Sequence, residues 1–362
     1  MDENYFADDY FANDYFFEEE MYEGANALLQ QGQFSVVKET AAMELTLPLY
    51  ALALVVAFAA GILLMHGLCR KKGLKGTTAL NFALLALPLG LVGARLFYVV
   101  NRLDMFQEIG LQHITNLWFG GYALWGAIGG GVLAALLCAW LTKQKFSRIM
   151  DAAAAPTALV IGLARLAEYF NGEGVGMMIE EKSLQFFPLA VRTVCEMWDG
   201  VVEYEEWRLA VFVLEALAAF IILLVLLRTR EEDGRQTKVF FILFCTVSLV
   251  LESIREDSYL RWQTLFVKVN QLASALTLTG IAVCSMIRRL KKPEKGGLSR
   301  SKAVLCSVVY VLLAGVCIGM EFALQKLSWL PNGACYAIMT LSAAGMGVCA
   351  WQLIFFRKKH KA

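Results

Sequence analysis

Apolar residues run through the chain in blocks, and the polar residues gather between them. Nine blocks are legible, near residues 47–68, 79–100, 117–141, 152–170, 208–227, 237–254, 265–287, 303–324 and 333–356. Crossing the hydrocarbon layer of a bilayer takes about 20 apolar residues in a helix, and a spanning segment must satisfy its own backbone hydrogen bonds. The pattern therefore predicts an all-α fold, a polytopic transmembrane helix bundle. Composition agrees: 58% of the 362 residues are hydrophobic and only 18% are charged, and mean hydropathy is +0.55.

The loops set an orientation. "CRKKGLKG" after the first block, "TKQKFSR" after the third and "RRLKKPEKGGLSRSK" after the seventh are basic, as is the C-terminal "RKKHK". The loop "RTREEDGRQTK" is mixed in sign but carries four basic residues. The alternate loops are poor in Lys and Arg, and the longest, 171–207, is acidic through Glu180, Glu181, Glu196, Asp199, Glu203, Glu205 and Glu206. Basic loops stay in the cytoplasm, which puts the N-terminus outside and the C-terminus inside. The first residues lack the basic start and apolar core of a signal peptide. They read "YFADDYFANDYFFEE", a repeat of aromatic pairs and acids. Residues 1–46 thus read as a disordered acidic tail, with docking on a partner or on the membrane interface as the alternative.

Net charge is +1, which offers no global field for nucleic acid. Nine cysteines form no CxxC pair, and most, such as Cys138, Cys245, Cys284, Cys306 and Cys317, lie in apolar blocks as small core residues. His66, His113 and His360 are scattered and make no metal cluster.

Polar residues inside the blocks fall at one depth. With the second, fourth and sixth blocks running outward, Arg95 and Tyr98, then Arg165, Glu168 and Asn171, then Glu252, Arg255 and Glu256 all approach the outer surface. The glycines of "WFGGYALWGAIGGG" begin the third block at the same level. Ionisable groups in a membrane are costly and tend to face the bundle interior and mark function. Bland readings stand beside this. Arg165 and Glu168, three apart on a helix, form an ion pair, or Arg165 and Arg95 snorkel to the interface. The glycines let helices approach closely or bring backbone against a head group. An arginine fork at this depth suits a phosphate, and a neighbouring carboxylate orients it or accepts a proton. The residues point to a cavity for an anionic lipid head group. A transporter or channel uses similar groups, although the internal repeat expected of a transporter is not evident.

Six short motifs carry a resemblance. "ARLAEYFNGEGVG" matches the signature G-R-x-G-N-F-x-N-G-E-x-x-G at Arg165, Asn171, Gly172, Glu173 and Gly176. "GARLFYVV" supplies Gly93, Arg95 and Tyr98, and "LPLYALALVVAFAAG" places Tyr50. "VLESIRED" (Glu252, Arg255, Glu256), "NQLAS" (Asn270 to Ser274) and the looser "DAAAAP" (Asp151 to Pro156) follow. In this order, over roughly 45–287, they resemble the bacterial prolipoprotein diacylglyceryl transferase family. The resemblance implies a seven-span domain at 47–287 with an outer insert at 171–207. A basic cytoplasmic linker at 288–302 and an extra two-span hairpin with a basic tail at 303–362 come after it. The hairpin reads as an accessory, with one acid, Glu321, near an outer end.

The implied reaction moves the diacylglyceryl group of phosphatidylglycerol onto the lipobox cysteine of a prolipoprotein at the bacterial plasma membrane, without metal or organic cofactor. The implied catalytic residues are Arg165, holding the phosphate, with Glu173 and Glu252. The implied substrate-binding residues are Tyr50, Arg95, Tyr98, Asn171, Gly172 and Gly176. Asn171 and Glu173 orient Arg165 and the head group, Arg95 and Glu252 form a second polar layer, and both tyrosines border the mouth. Several positions depart from the family pattern. Trp125 stands for a histidine, Glu168 for an asparagine, Ser248 for a second arginine and Phe244 for a tyrosine, while "LAVFVLEA" keeps only Glu215 and Ala216 of its segment. Arg192, Arg255 and His113 are the candidates to replace the missing groups. The competing reading is a homologue without turnover that binds lipid or peptide.

Overall fold

The computed structural model describes residues 35–36, 43–116, 121–196, 203–230, 232–256, 268–291, 299–327 and 330–355. Ten α-helices form along them: α1 (Met43–Lys71), α2 (Thr78–Asn101), the short α3 (Leu103–Ile109), α4 (Leu124–Thr142), α5 (Phe146–Asn171), α6 (Val211–Arg228), α7 (Arg235–Ile254), α8 (Val269–Lys291), α9 (Arg300–Lys326) and α10 (Asn332–Phe355). All but α3 are long and apolar enough to cross a membrane, which makes nine among the described residues. They coincide with the nine hydropathy blocks, apart from end shifts such as α4 starting at Leu124 rather than near 117. Leu63, Leu141, Val311 and Leu341 are among the large apolar side chains left exposed on the bundle, as a lipid-facing surface requires.

Neighbours pack in pairs: α1 on α5, α2 on α4, α5 on α6, α7 on α8 and α9 on α10, with α10 also lying on α7 and α8. One apolar core joins α5 to α10 through residues such as Ile222, Phe240, Leu278 and Met346. A second, around Met65, Ala79, Cys138 and Ile149, joins α1, α2, α4 and α5. The eight cysteines with described side chains are free. Ends are tied by side chains. Asp151 accepts from the backbone N–H of Gly234 (2.5 Å) and Thr237 (2.9 Å), satisfying the start of α7. Arg289 donates to the carbonyls of Leu353 and Ile354, closing the end of α10.

The helical bundle also carries an antiparallel sheet that periodicity did not reveal. Its strands are β1 (Ser35–Val36), β2 (Val175–Met178), β3 (Ala190–Glu196) and β4 (Glu203–Ala210), in the order β1-β3-β4-β2. Three of them come from the insert between α5 and α6. β1 comes from the tail expected to be disordered, and Ser35 pairs with Val194. Of the rest of that expectation, residues 1–34 and 37–42 lie outside the described residues, as do residues 292–298 of the basic linker. The sheet marks the end of the bundle where α2, α5 and α7 finish.

Between α2 and α4 the contact is backbone on backbone. A Cβ on Gly126 would sit 2.2 Å from the carbonyl oxygen of Gly93, and one on Gly130 would sit 2.1 Å from that of Leu89. Both glycines serve close helix approach, the packing reading of this motif. Gly129 has nothing within 4 Å of a built Cβ. Gly126→Ala and Gly130→Ala are expected to destabilise by about 1–3 kcal/mol through overpacking, and Gly129→Ala to be neutral. Thermal unfolding of the three variants in detergent tests this.

Candidate active site

Four charged side chains from three helices meet in the interior at the sheet-bearing end. Arg165 and Glu168 project from the last turns of α5, Glu215 from the first turns of α6, and Arg255 from the residue just past α7. Arg165 pairs with Glu168 through Nη1 and with Glu215 Oε2 through Nε at 3.1 Å. Arg255 reaches the same Glu215 Oε2 at 3.3 Å and Glu168 Oε2 at 3.5 Å. Each side chain keeps no more than 14% of its surface exposed. The predicted Arg165–Glu168 ion pair is thus present, as one edge of a ring of two arginines and two carboxylates. Burial of such charges is tolerated because each has an opposite partner at hydrogen-bonding range.

A cavity opens beside this ring. Its polar rim is Arg165, Glu215, Glu252, Ser248 and Asn270. Its apolar floor includes Trp125, Ile161, Ile222, Phe244 and Val247. Asn270 donates to Glu252 Oε1 at 3.1 Å across the α7–α8 seam. Arg165 lines the cavity while Nε and Nη1 are committed to carboxylates; Nη2 has no partner among the described residues. Just past α7, Lys268 donates to the carbonyls of Glu252 (2.6 Å), Ser253 (3.3 Å) and Arg255. An ammonium there complements the negative end of the helix.

The remaining predicted residues fall at several places. Asn171 is the last residue of α5 and donates to Glu173 Oε1 at 2.8 Å, so these two pair at the helix end, outside the cavity lining. Gly172 closes α5 in the left-handed conformation, φ +75°. Gly176 brings β2 against the end of α7, where it bridges Arg255 and where a Cβ would lie 2.9 Å from the Ile254 carbonyl oxygen. Tyr50 on α1 lies within electrostatic reach of Arg165, Glu168, Glu173 and Arg255. Arg95 and Tyr98 lie elsewhere. Arg95 is buried and donates to the carbonyls of His113 (2.7 Å), Ile114 (3.1 Å), Asn116 and Gly121 (both 3.2 Å), with its guanidinium 5.3 Å from the Phe106 ring centre. Its donors hold the loop after α3, and neither Arg95 nor Tyr98 lines the cavity. Tyr98 stacks edge-on to Phe106 at 6.3 Å.

Of the three candidate replacements, Arg255 alone joins the ring. Arg192 pairs with Glu205 on the sheet, and His113 serves Arg95 with its carbonyl. Of the departing positions, Trp125, Phe244 and Ser248 line the cavity, and Glu168 stands in the ring beside it. Glu215 was absent from the expected site. Its signal was present, a lone acid inside an apolar run.

Comparison with known families matches residues 39–287 to the family described as prolipoprotein diacylglyceryl transferase. Curated relatives named phosphatidylglycerol–prolipoprotein diacylglyceryl transferase include one from Frankia alni, 30% identical over 244 residues, 66% of this chain and 63% of that protein. One from Symbiobacterium thermophilum is 28% identical over 254 residues, 68% of this chain and 90% of its own. One from Listeria welshimeri is 25% identical over 251 residues, 68% and 88%. The matches thus span just under two thirds of the Frankia protein and most of the other two, and the family match ends before α9.

Arg255→Met leaves Glu168 and Glu215 with a single arginine, and a loss of about 3–5 kcal/mol is expected. Adding Glu215→Leu removes the surplus charge and is expected to recover part of that loss. Unfolding of both variants in detergent gives the comparison; equal losses would show that the four groups are not coupled.

Proposed function

Because the chain belongs to the prolipoprotein diacylglyceryl transferase family, we propose that its cavity binds phosphatidylglycerol and transfers the diacylglyceryl group to the lipobox cysteine of a prolipoprotein. The observation that carries this is Arg165, which lines a cavity with a charged rim and an apolar floor and keeps an uncommitted guanidinium nitrogen, with Arg255 behind it on the shared carboxylate of Glu215. A phosphodiester and its hydrocarbon need those two environments side by side. The protein is a multi-pass membrane protein. The basic loops support a cytoplasmic C-terminus, which turns the sheet-bearing end, and with it the cavity, to the outer side.

In this reading Arg165 Nη2 takes a phosphate oxygen. The cysteine thiol gives its proton to a carboxylate, and Glu252, at the rim and hydrogen-bonded by Asn270, is placed to receive it. The sulfur attacks the glyceryl carbon. A C–S bond forms, the C–O bond to phosphate breaks, and glycerol phosphate leaves with the bonding pair. The charge growing on the leaving phosphate is stabilised by Arg165, with Arg255 steadying the carboxylates around it. Asn171, Glu173 and Tyr50 border the head group, and Gly172 and Gly176 shape the backbone beneath it. Arg95 and Tyr98 act at a distance by fixing the loop after α3.

The apolar Trp125 and Phe244 on the floor favour a second reading, a homologue that holds lipid without turnover. Purified protein mixed with phosphatidylglycerol and a lipobox peptide separates the two. Transfer is expected as a diacylglyceryl mass gain on the cysteine, falling about 100-fold or more in Arg165→Ala. A bound lipid with no mass gain on the peptide would favour the second reading.

A further inference from the structure

Glu321 belongs to α9, beyond the residues that match the family. It is only 3% exposed and enters the bundle at the level of the candidate site. Its Oε2 accepts from Ser253 Oγ on α7 at 2.6 Å and from Gln271 Nε2 on α8 at 3.0 Å. Its Oε1 accepts from Gln325 Nε2 at 3.2 Å. Gln271 Nε2 also donates to the Leu249 carbonyl at 3.1 Å, so α7, α8 and α9 share one polar junction.

Ser253 and Gln271 each follow a residue of the cavity rim, Glu252 and Asn270. Successive residues on an α-helix project about 100° apart. Each helix therefore shows one of the two residues to the cavity and the next to the hairpin. A single carboxylate holding Ser253 and Gln271 sets the rotation of both helices at once, and with it the Glu252–Asn270 contact on the other side.

We propose that Glu321 is a positioning residue of the candidate active site, and that the appended hairpin is part of the catalytic unit. The proposal rests on the transferase reading above. Glu321 touches no substrate. It acts through Ser253 and Gln271 on the alignment of Glu252 and Asn270.

The far end of the same hairpin supplies a control. Arg289 clamps α10 by its last carbonyls without touching Ser253 or Gln271. If the hairpin needed only to be held in place, Arg289→Ala and Glu321→Ala would act alike. The positioning role predicts a split. Glu321→Ala lowers kcat roughly ten- to a hundred-fold, since a displacement of about 1 Å at a reacting group has effects of that order, with little change in KM. Glu321→Gln, which keeps an acceptor, restores most of the rate, and Arg289→Ala keeps wild-type kcat.

Transfer rate and retention of phosphatidylglycerol by native mass spectrometry are measured on the full-length protein and the three variants. Wild-type kcat in Glu321→Ala, or equal losses in Glu321→Ala and Arg289→Ala, would overturn the proposal. If the wild-type protein itself transfers nothing, the transferase reading fails, and lipid retention decides. Weaker retention in Glu321→Ala alone supports Glu321 as an organiser of the cavity, and equal retention in all variants overturns that role.

Discussion

Charge inside a membrane protein must be matched where it stands, and the ring of Arg165, Glu168, Glu215 and Arg255 is the constraint around which this end of the bundle is arranged. No residue of the ring is tolerable alone in a medium that screens so little. Its members come from the end of α5, the start of α6 and the end of α7, so the three helices must stop and start at one level. The surrounding backbone serves that need. Gly174, at φ +77°, leaves room where a Cβ would lie 2.5 Å from Glu168 Oε2. β2 bridges Arg255 through Gly176, and Arg208 on β4 binds Glu256 at 2.7 Å. The sheet is thus a brace on the end of α7, and Arg255 inherits its position from it.

The cavity beside the ring has changed character without losing its charge. Positions where the family pattern has a histidine, a tyrosine and a second arginine hold Trp125, Phe244 and Ser248, and they lie together. Trp125 and Phe244 are 6.0 Å apart between ring centres. Meanwhile an arginine is present at Arg255, seven residues after Ser248 on the same side of α7. Ser248 leaves that level of the helix uncharged, and the positive charge on this side stands two turns further on, beside the ring.

What was legible in the sequence follows from the range of the interactions involved. Nine spans were readable because length and the absence of charge are local properties. Arg165–Glu168 was readable because it lies within one turn. The Glu215–Arg255 contact, the Lys268 cap and the Glu321 junction join residues 13 to 68 apart, and periodicity says nothing about which helices touch. Arg95 looked like a site residue because buried arginine looks the same whether it meets a phosphate or a cluster of carbonyls. The loop that saturates it lies 18 to 26 residues further on. The sheet escaped because β4, "EYEEWRLA", carries charge on both faces, where a half-buried strand would alternate.

The glycine contact between α2 and α4 has one more consequence. Carbonyl meets Cα there without intervening side chains, so the two helices have no soft layer in which to slide. α2 bears Arg95 and the loop it gathers; α4 bears Trp125 at the cavity floor. Both stand at one end of the pair, where Ala123 N–H donates to the Ala94 carbonyl at 3.2 Å, so the loop and the indole share one rigid footing.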